Sequence, residues 1–344
     1  MFSRLTGNTH AKDVLSRLIA KGRVPNSLIF AGDEGVGKRQ FALEVARLLI
    51  CKDISDGACG VCSACVRIGS FSIPGADDRD AFKRVIWSDH PDVGMVTAHN
   101  RSIFVDAIRH LETEANFLPY EAGSRFFIVN DADKMNDAAS NALLKTLEEP
   151  PLDTHIFLVT SRPDSLLPTI RSRCQMIRFS PLAVEEVERY LIEEKAFTSD
   201  EARLPARLSR GSVGRAVAMD VERFIEERAD MLSVLGNVIE TGDLAAALKI
   251  GEQMNDAKHK ENYEEALGIL ESLIHDIWRI RARGDATRAV NADLADRLSH
   301  LAVESGSRDL AGWLGEIETL RQNLAVNINR KVATDALFVK MAAA

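Results

Sequence analysis

Four of the five cysteines lie close together in the sequence and could hold a metal ion. Cys51, Cys59, Cys62 and Cys65 follow a C-x7-C-x2-C-x2-C spacing, whereas Cys174 lies far from them. In a reducing compartment clustered thiols bind metal rather than pair as disulfides, and Zn²⁺ favours four thiolates in a tetrahedron. The spacing therefore predicts a closed, structural zinc site. An iron–sulfur cluster and a redox-active dithiol are the alternatives.

A glycine-rich segment has the spacing of a phosphate-binding loop. Gly32, Gly35 and Gly37 precede Lys38, and an apolar run comes before them. In such a loop backbone N–H groups and the N-terminus of the next helix face phosphate oxygens, while the lysine neutralises their charge. The next residue normally offers Mg²⁺ a hydroxyl, but Arg39 has no oxygen ligand and adds a positive charge. We expect weak or absent binding of ATP and Mg²⁺, and a turn that merely needs glycine is the alternative.

A second apolar run ends where an NTPase would hold its magnesium ion. Residues 126–129 are followed by Asn130 and Asp131. An active enzyme needs one acidic residue for the cation and a neighbour that polarises the attacking water. The amide of Asn130 carries no charge, so two magnesium-handling positions are altered together. Alternatively, these residues simply end a buried strand and cap the following helix.

The elements that must position these residues fall into two regions. Short apolar runs at 27–31, 126–129 and 156–159 alternate with helical patterns, which is typical of a parallel sheet with helices on both faces. All ten prolines lie at or before Pro205, and apolar residues recur at helical spacing in 263–277. We therefore expect an α/β region followed by a helical one.

The composition excludes several classes of protein. The chain has 344 residues, 46% of them hydrophobic, and a net charge of −8. A disordered chain and a histone-like protein are therefore excluded, so any contact with nucleic acid must be local or shared with partners. No apolar run approaches the ~20 residues that cross a bilayer, and the N-terminus lacks the apolar core of a signal peptide. We expect a cytoplasmic protein with no membrane contact.

Two further motifs complete a family resemblance. Residues 139–151 read Ala-Ser-Asn-Ala-Leu-Leu-Lys-Thr-Leu-Glu-Glu-Pro-Pro, and residues 168–174 read Pro-Thr-Ile-Arg-Ser-Arg-Cys. With the cysteine spacing and the glycine loop, they resemble the bacterial clamp-loader subunits of the AAA+ superfamily. The resemblance rests on specific motifs over about the first 215 residues and only on general character in the helical tail.

The resemblance implies a three-domain fold. Its parts are a RecA-like α/β P-loop domain over 1–180 with a zinc module at 51–65, a small helical lid over 181–222, and an all-α collar domain for oligomerisation over 223–344.

Arg39 and Asn130 place the chain nearer to the non-hydrolysing delta-prime branch of this family than to the ATP-hydrolysing gamma/tau branch. The gamma/tau branch keeps a hydroxyl and an Asp-Glu pair at these positions. The family has two further positions, called sensors, that contact the nucleotide. Thr160 matches the first sensor, on the strand that follows the 126–129 run, and Arg215 matches the second. Inheritance without use is an equally open interpretation of both.

The resemblance also implies a role for Arg173 in the Ser-Arg-Cys motif. In the family this arginine is presented in trans to nucleotide held by an adjacent subunit, where its guanidinium can pair with the γ-phosphate. The alternative is that Arg173 caps a helix or pairs with a local carboxylate.

The function implied is that of a non-catalytic clamp-loader subunit in DNA replication, which helps to place the sliding clamp on primed DNA. Its partners would be the gamma/tau ATPase subunits and the delta subunit, with the clamp and DNA reached through the complex. We expect no intrinsic enzymatic activity, since DNA-directed DNA polymerase activity belongs to the whole holoenzyme. An active gamma/tau-type motor subunit is the main alternative, and a zinc-stabilised scaffold is the other.

Overall fold

The chain consists of two compact units, Met1–Val217 and Ala218–Ala344. The computed structural model describes residues 1–53, 57–256, 262–284, 289–306, 308–324 and 328–343. Within these residues every strand lies in the first unit, and every regular element of the second unit is helical. This confirms an α/β region followed by a helical region. The finer division into lid and collar stays a prediction.

The strands described in the first unit form a single sheet. They are β1 Ser27–Ala31, β2 Ile86–Trp87, β3 Val93–Val96, β4 Arg125–Val129, β5 Thr154–Thr160 and β6 Gln175–Arg178. Their order across the sheet is β2-β3-β4-β5-β1-β6. Neighbours are parallel except β2 and β3, which are antiparallel. The three apolar runs in the sequence are confirmed as β1, β4 and β5.

Helices cover both faces of this sheet. The helices described up to residue 218 are α1 Thr9–Ala20, α2 Lys38–Ile50, α3 Ser63–Ile68, α4 Val105–Ala115, α5 Asp137–Glu148, α6 Pro168–Arg173, α7 Val184–Lys195, α8 Ser199–Leu208 and α9 Val213–Ala218, with short 3₁₀ turns at Ala81–Lys83, Ala132–Lys134 and Pro163–Ser165. Alternate strand residues point to opposite faces. Phe30 and Phe157 pack in one core with α1 and α2, and Ile29 and Leu158 pack in the other with α4 and α5.

The second unit is built around one long helix. Its elements are α10 Val221–Gly236, a π-helical turn Asn237–Thr241, α11 Leu244–Met254, α12 Tyr263–Arg283, a 3₁₀ turn Ala292–Leu294, α13 Ala295–Glu304, α14 Leu310–Leu324 and α15 Arg330–Ala343. The helix predicted over 263–277 is therefore confirmed. Leu267, Leu270, Ile274 and Ile277 of α12 are fully buried, and the helix contacts α10, α13 and α14. Among the described helices none combines the length and the apolar character needed to span a membrane.

The carboxyl ends of β1, β4 and β5 meet at one edge of the sheet, because these strands are parallel and β5 lies between the other two. The glycine loop follows β1, Asn130 follows β4, and Thr160 is the last residue of β5. In open α/β sheets this edge is where ligands bind.

Candidate functional site

The glycine loop turns the chain from β1 into α2. Gly35 and Gly37 have φ of 77° and 94°, a backbone conformation that glycine adopts without a steric penalty. Gly32 starts the loop, and its N–H donates to the carbonyl of Thr160 at 3.3 Å. Arg39, in the first turn of α2, is exposed. The loop thus has the shape of a phosphate cradle, but its magnesium position carries a cationic side chain.

Lys38 is bonded to its own loop. Its side chain is buried, and Nζ donates to the carbonyl oxygens of Gly32 and Asp33, at 2.6 Å each. Burial lowers the pKa of Lys38, while nearby carboxylates, Asp131 foremost, act in the opposite direction. Two of the three N–H donors of the ammonium group are therefore already engaged by backbone oxygens.

The start of α9 lies directly against the glycine loop. The N–H of Gly214 donates to the carbonyl of Gly35 at 2.9 Å. A Cβ on Gly35 would lie 2.1 Å from Oγ of Ser212, and one on Gly214 would lie 3.0 Å from Cα of Gly35. Arg215 follows this contact, with an exposed side chain and an N–H that donates to Oγ of Ser212 at 3.2 Å. The two glycines thus allow the backbones of loop and helix to touch.

The other polar residues at this edge form a network around a carboxylate that sequence reasoning missed. Asp133 has a buried side chain that accepts from Oγ1 of Thr160 at 2.7 Å and from the N–H of Ser161 at 3.2 Å. Thr160 Oγ1 in turn accepts from the N–H of Arg162 at 3.0 Å. The hydroxyl of Thr160 therefore serves to join β5 to the turn after β4.

Asn130 and Asp131 lie at the end of β4, as the sequence predicts. The N–H of Asn130 donates to the carbonyl of Val96 at 2.8 Å, which extends the pairing of β3 with β4. Asp131 adopts φ of 55° and forms an ion pair with Lys134 at 3.2 Å. The edge thus brings together the loop, Lys38, Asn130, Asp131 and Thr160. A carboxylate at the fourth position after the β4 run was the only sequence signal for Asp133.

The four clustered cysteines meet in space at the far end of α2. Their sulfur atoms all lie within 4.8 Å of one another. Cys51 caps the C-terminus of α2, Cys62 caps the N-terminus of α3, and Cys65 lies within α3. None of the four forms a disulfide. At zinc–sulfur distances of about 2.3 Å the sulfurs of a tetrahedral site are a little under 4 Å apart, so a small contraction would complete it.

Backbone N–H groups point at three of these sulfurs. Cys59 donates to Cys51 Sγ at 3.5 Å, Cys62 to Cys59 Sγ at 3.3 Å, and Cys65 to Cys62 Sγ at 3.5 Å. Hydrogen bonds from the N–H groups of Cys62 and Val61 lower the pKa of Cys59 to about 6. Burial raises the pKa of Cys65 to about 12. Sulfurs that accept N–H bonds suit thiolate ligands, so the donor set fits a metal ion such as Zn²⁺.

Arg173, at the end of α6, is held by local partners. Its guanidinium pairs with Glu148 Oε1 at 2.6 Å and donates to the carbonyl of Thr169 at 2.9 Å. Glu148 is the last residue of α5, the helix of the 139–151 motif. In the single chain Arg173 thus joins the two motif helices, and a third of its side chain is exposed.

Known proteins resemble the chain over most of its length. Residues 7–183 match the family model described as DNA polymerase III, delta subunit. The DNA polymerase III subunit delta′ of Bacillus subtilis is 30% identical over 318 residues, which cover 92% of this chain and 90% of that protein. The Escherichia coli K12 subunit delta′ is 27% identical over 325 residues, which cover 93% and 90%. A Mycobacterium tuberculosis gamma/tau subunit is 31% identical over 214 residues, 61% of this chain and 34% of that protein.

The match to the delta-prime relatives differs in extent from the match to gamma/tau. The matches to the delta-prime relatives span nine-tenths or more of both chains. The matches to gamma/tau and tau relatives span 34% to 50% of the relative. Since the family model also covers more than half of the residues, the chain belongs to the delta-prime family of DNA polymerase III subunits.

Proposed function

We propose that the chain acts in a clamp-loader complex as a subunit that does not hydrolyse ATP. The observation that carries this proposal is the state of the glycine loop. Lys38 is bonded to two loop carbonyls, and Arg39 stands where a magnesium ligand would be needed. Asn130 lacks the negative charge with which an acidic residue at this position would compensate the cation. Phosphoryl transfer depends on such positioned charges, so hydrolysis at this loop is not supported.

The partners follow from the same proposal. The chain assembles with gamma/tau ATPase subunits and a delta subunit, and it reaches the sliding clamp and primed DNA through the complex, in the cytoplasm. Residues 181–222 act as the lid and 223–344 as the collar that packs against neighbouring subunits. Thr160 and Arg215 are inherited sensor positions. The bonds of Thr160 to Asp133 and to the turn after β5 support a structural use of its hydroxyl.

The test of this proposal compares the purified chain with the complex. The chain alone should show no magnesium-dependent ATP turnover, because both magnesium-handling positions are changed. A complex of the other loader subunits should load clamps poorly until the chain is added. Turnover by the chain alone at the rate of a gamma/tau subunit would instead support the motor function.

A matched variant sharpens this test. Arg39→Ser with Asn130→Asp restores both magnesium-handling groups, and we expect it to raise nucleotide affinity without producing turnover, since the other catalytic groups are not restored. Gln40→Ser, a neighbouring exposed position in α2, is the control and should leave affinity unchanged. If the double variant binds no better than this control, the two residues do not set nucleotide affinity.

We further propose that the cysteine cluster holds one structural zinc ion. Cys51, Cys59, Cys62 and Cys65 would be its four ligands, which leaves no coordination position for water, so the ion would supply a cross-link and no catalysis. We expect one zinc per chain by elemental analysis of protein purified without chelator. Chelation should expose the module to protease while the far-ultraviolet circular dichroism of the sheet unit is retained, because that unit has its own cores. Protein that contains no zinc contradicts the assignment.

A further inference from the structure

The four clustered cysteines together with α3 form what we call the cysteine module. This module contacts a loop at the amino ends of the strands, opposite the glycine loop. This loop, residues 117–122, connects α4 to β4. Arg67, in the last turn of α3, donates from Nη1 to Oε1 of Glu121 at 2.6 Å and to the carbonyl of Asp89 at 3.4 Å. The N–H of Asp89 donates back to the carbonyl of Ser70, just after α3, at 3.0 Å. The module is therefore bonded to the loop and to the segment that supports it.

That supporting segment ends in a buried carboxylate that organises the loop. Asp92 is fully buried, and its two oxygens accept from the N–H groups of Tyr120, Glu121 and Ala122 at 2.7, 2.9 and 2.9 Å. The neighbouring guanidinium of Arg125 lies 4.0 Å from Asp92 and balances its charge. The loop backbone thus has one fixed conformation as long as residues 88–92 keep their place.

The ordered loop exposes three large apolar or aromatic side chains. Phe117, Leu118 and Tyr120 have 55%, 83% and 73% of their surface exposed. The ring of Tyr120 also lies 5.6 Å from the guanidinium of Arg125, and Nε2 of His90 lies 3.6 Å from Oε1 of Glu121. The hydrogen bonds that hold the loop come from its contacts with Asp92 and Arg67. Of Asp92 and Arg67, only Arg67 belongs to the cysteine module, through α3.

The module itself has little intrinsic stability. α3 contains six residues, fewer than an isolated helix needs to persist in water. Its start is fixed by Cys62 and Cys65, two of the four sulfurs. Ile68 and Cys65 are buried in the core beside α2, and Nε of Arg47 in α2 donates to the carbonyl of Cys65 at 3.1 Å. A metal ion that joins both cysteines to Cys51 and Cys59 would therefore set the position from which Arg67 reaches Glu121.

We propose that the cysteine module fixes the conformation of the 117–122 loop through Arg67, so that order in this loop depends on metal occupancy. The inference rests on the proposed zinc site, and it means that the metal orders residues 117–122 as well as the segment that binds it. Arg67 is a positioning residue in this scheme. The module contacts Glu121 and Asp89 directly. When these contacts are lost, the hydrogen bonds from residues 120–122 to Asp92 break more often.

Hydrogen exchange of the full-length chain tests the proposal. The reporters are the N–H groups of residues 120–122, which Asp92 protects, and the amides of β1 and β5 report global unfolding. Arg67→Ala should keep one zinc per chain and raise exchange at 120–122 about two- to fivefold, the range expected for an exposed ion pair. Chelation should raise it roughly tenfold or more while β1 and β5 stay protected, since the whole module then loosens.

The control is Arg203→Ala, which removes another exposed arginine from an ion pair, with Asp200 at 3.2 Å in α8. It should leave exchange at 120–122 unchanged. Two results would overturn this inference and leave the zinc site standing. One is unchanged exchange at 120–122 in chelated protein whose cysteine module exchanges fast. The other is an Arg67→Ala chain in which exchange at 120–122 equals that of the control. A chain that binds no zinc contradicts both the zinc site and this inference.

Discussion

Arg173 is the residue on which the proposed role in a multisubunit ATPase depends most. In the single chain its guanidinium is paired with Glu148, in an ion pair whose partners are 34% and 49% exposed. Exposed pairs of this kind contribute about 0–1 kcal/mol, so releasing the arginine to a neighbour's phosphate would cost little. We expect Arg173→Ala to preserve folding, zinc content and assembly, and to lower DNA-stimulated ATPase activity and clamp loading by the reconstituted complex.

The loss should be smaller than the roughly 10³ to 10⁵ that an arginine finger contributes at a single site, because other sites in the ring keep their own. Arg171 is the matched control, since it lies on the same helix and pairs with Asp164 at 2.7 Å. Arg171→Ala should have less effect on both rates. An assembled Arg173→Ala complex with unchanged rates would remove this residue from the mechanism.

Some buried polar residues could not be predicted from sequence. Arg125, the first residue of β4, has a side chain that is fully buried among aromatic rings beside Asp92. Asp133 likewise has its partner, Thr160, on a different strand. A sequence gives the type of each residue and its neighbours along the chain. The roles of Arg125 and Asp133 depend instead on partners 27 or more positions away. The cysteine cluster was predictable because its members are close in sequence.

At the scale of elements, the contact between the glycine loop and α9 can be tested with two glycines. Both Gly35 and Gly37 have positive φ, so alanine at either position costs about 1–2 kcal/mol in backbone strain. At Gly37 a Cβ would meet only Phe41, at 3.9 Å, whereas at Gly35 it would clash with Ser212 and approach Gly214. We expect Gly35→Ala to lower the free energy of unfolding by about 1–3 kcal/mol more than Gly37→Ala does, as urea denaturation would measure. Equal losses of unfolding free energy in the two variants would mean that Ser212 and α9 do not pack closely against Gly35.

The sequence predicted elements better than the contacts between them. The runs at 27–31 and 126–129 were assigned nearly to the residue, because strands buried on both faces are apolar throughout and are bounded by turn residues. The helix at 263–277 was recognised from one apolar stripe. The contact of Gly35 with Gly214 has no such signal, since a glycine is required there only by what lies opposite.

At the scale of the whole molecule, the helical unit should carry part of the chain's sensitivity to acid. Glu240, in the π-helical turn, accepts two hydrogen bonds from Arg297 of α13, at 2.6 and 2.8 Å. These bonds lower the pKa of Glu240 below its ordinary value of 4.5. The folded chain therefore binds a proton here less readily than the unfolded chain, so the pair stabilises above that value, and its contribution is lost as pH falls through the lowered pKa.

We expect Glu240→Gln to lower the melting temperature at pH 7, and we expect the difference from the unaltered chain to shrink as pH falls below 4.5. Thermal unfolding followed across this range measures both. Glu316→Gln removes another glutamate of the same unit, one that pairs with Lys340 at 2.6 Å and is more exposed, and it should change stability less. A constant difference from pH 7 to acid would show that Glu240 does not titrate as proposed.

One helix carries both candidate sites at its two ends. α2 starts directly after Gly37 of the glycine loop and is capped by Cys51 of the cysteine cluster. Its 13 residues rise about 20 Å at 1.5 Å each, and most of them are buried, so the rod cannot easily bend. A paramagnetic ion such as Co²⁺, bound to the cysteines in place of zinc, would sit at a nearly fixed distance from the loop. The ion would shift and broaden the nuclear resonances of a small molecule bound near Gly37, and the size of that effect would give the distance of the molecule from the cysteine cluster.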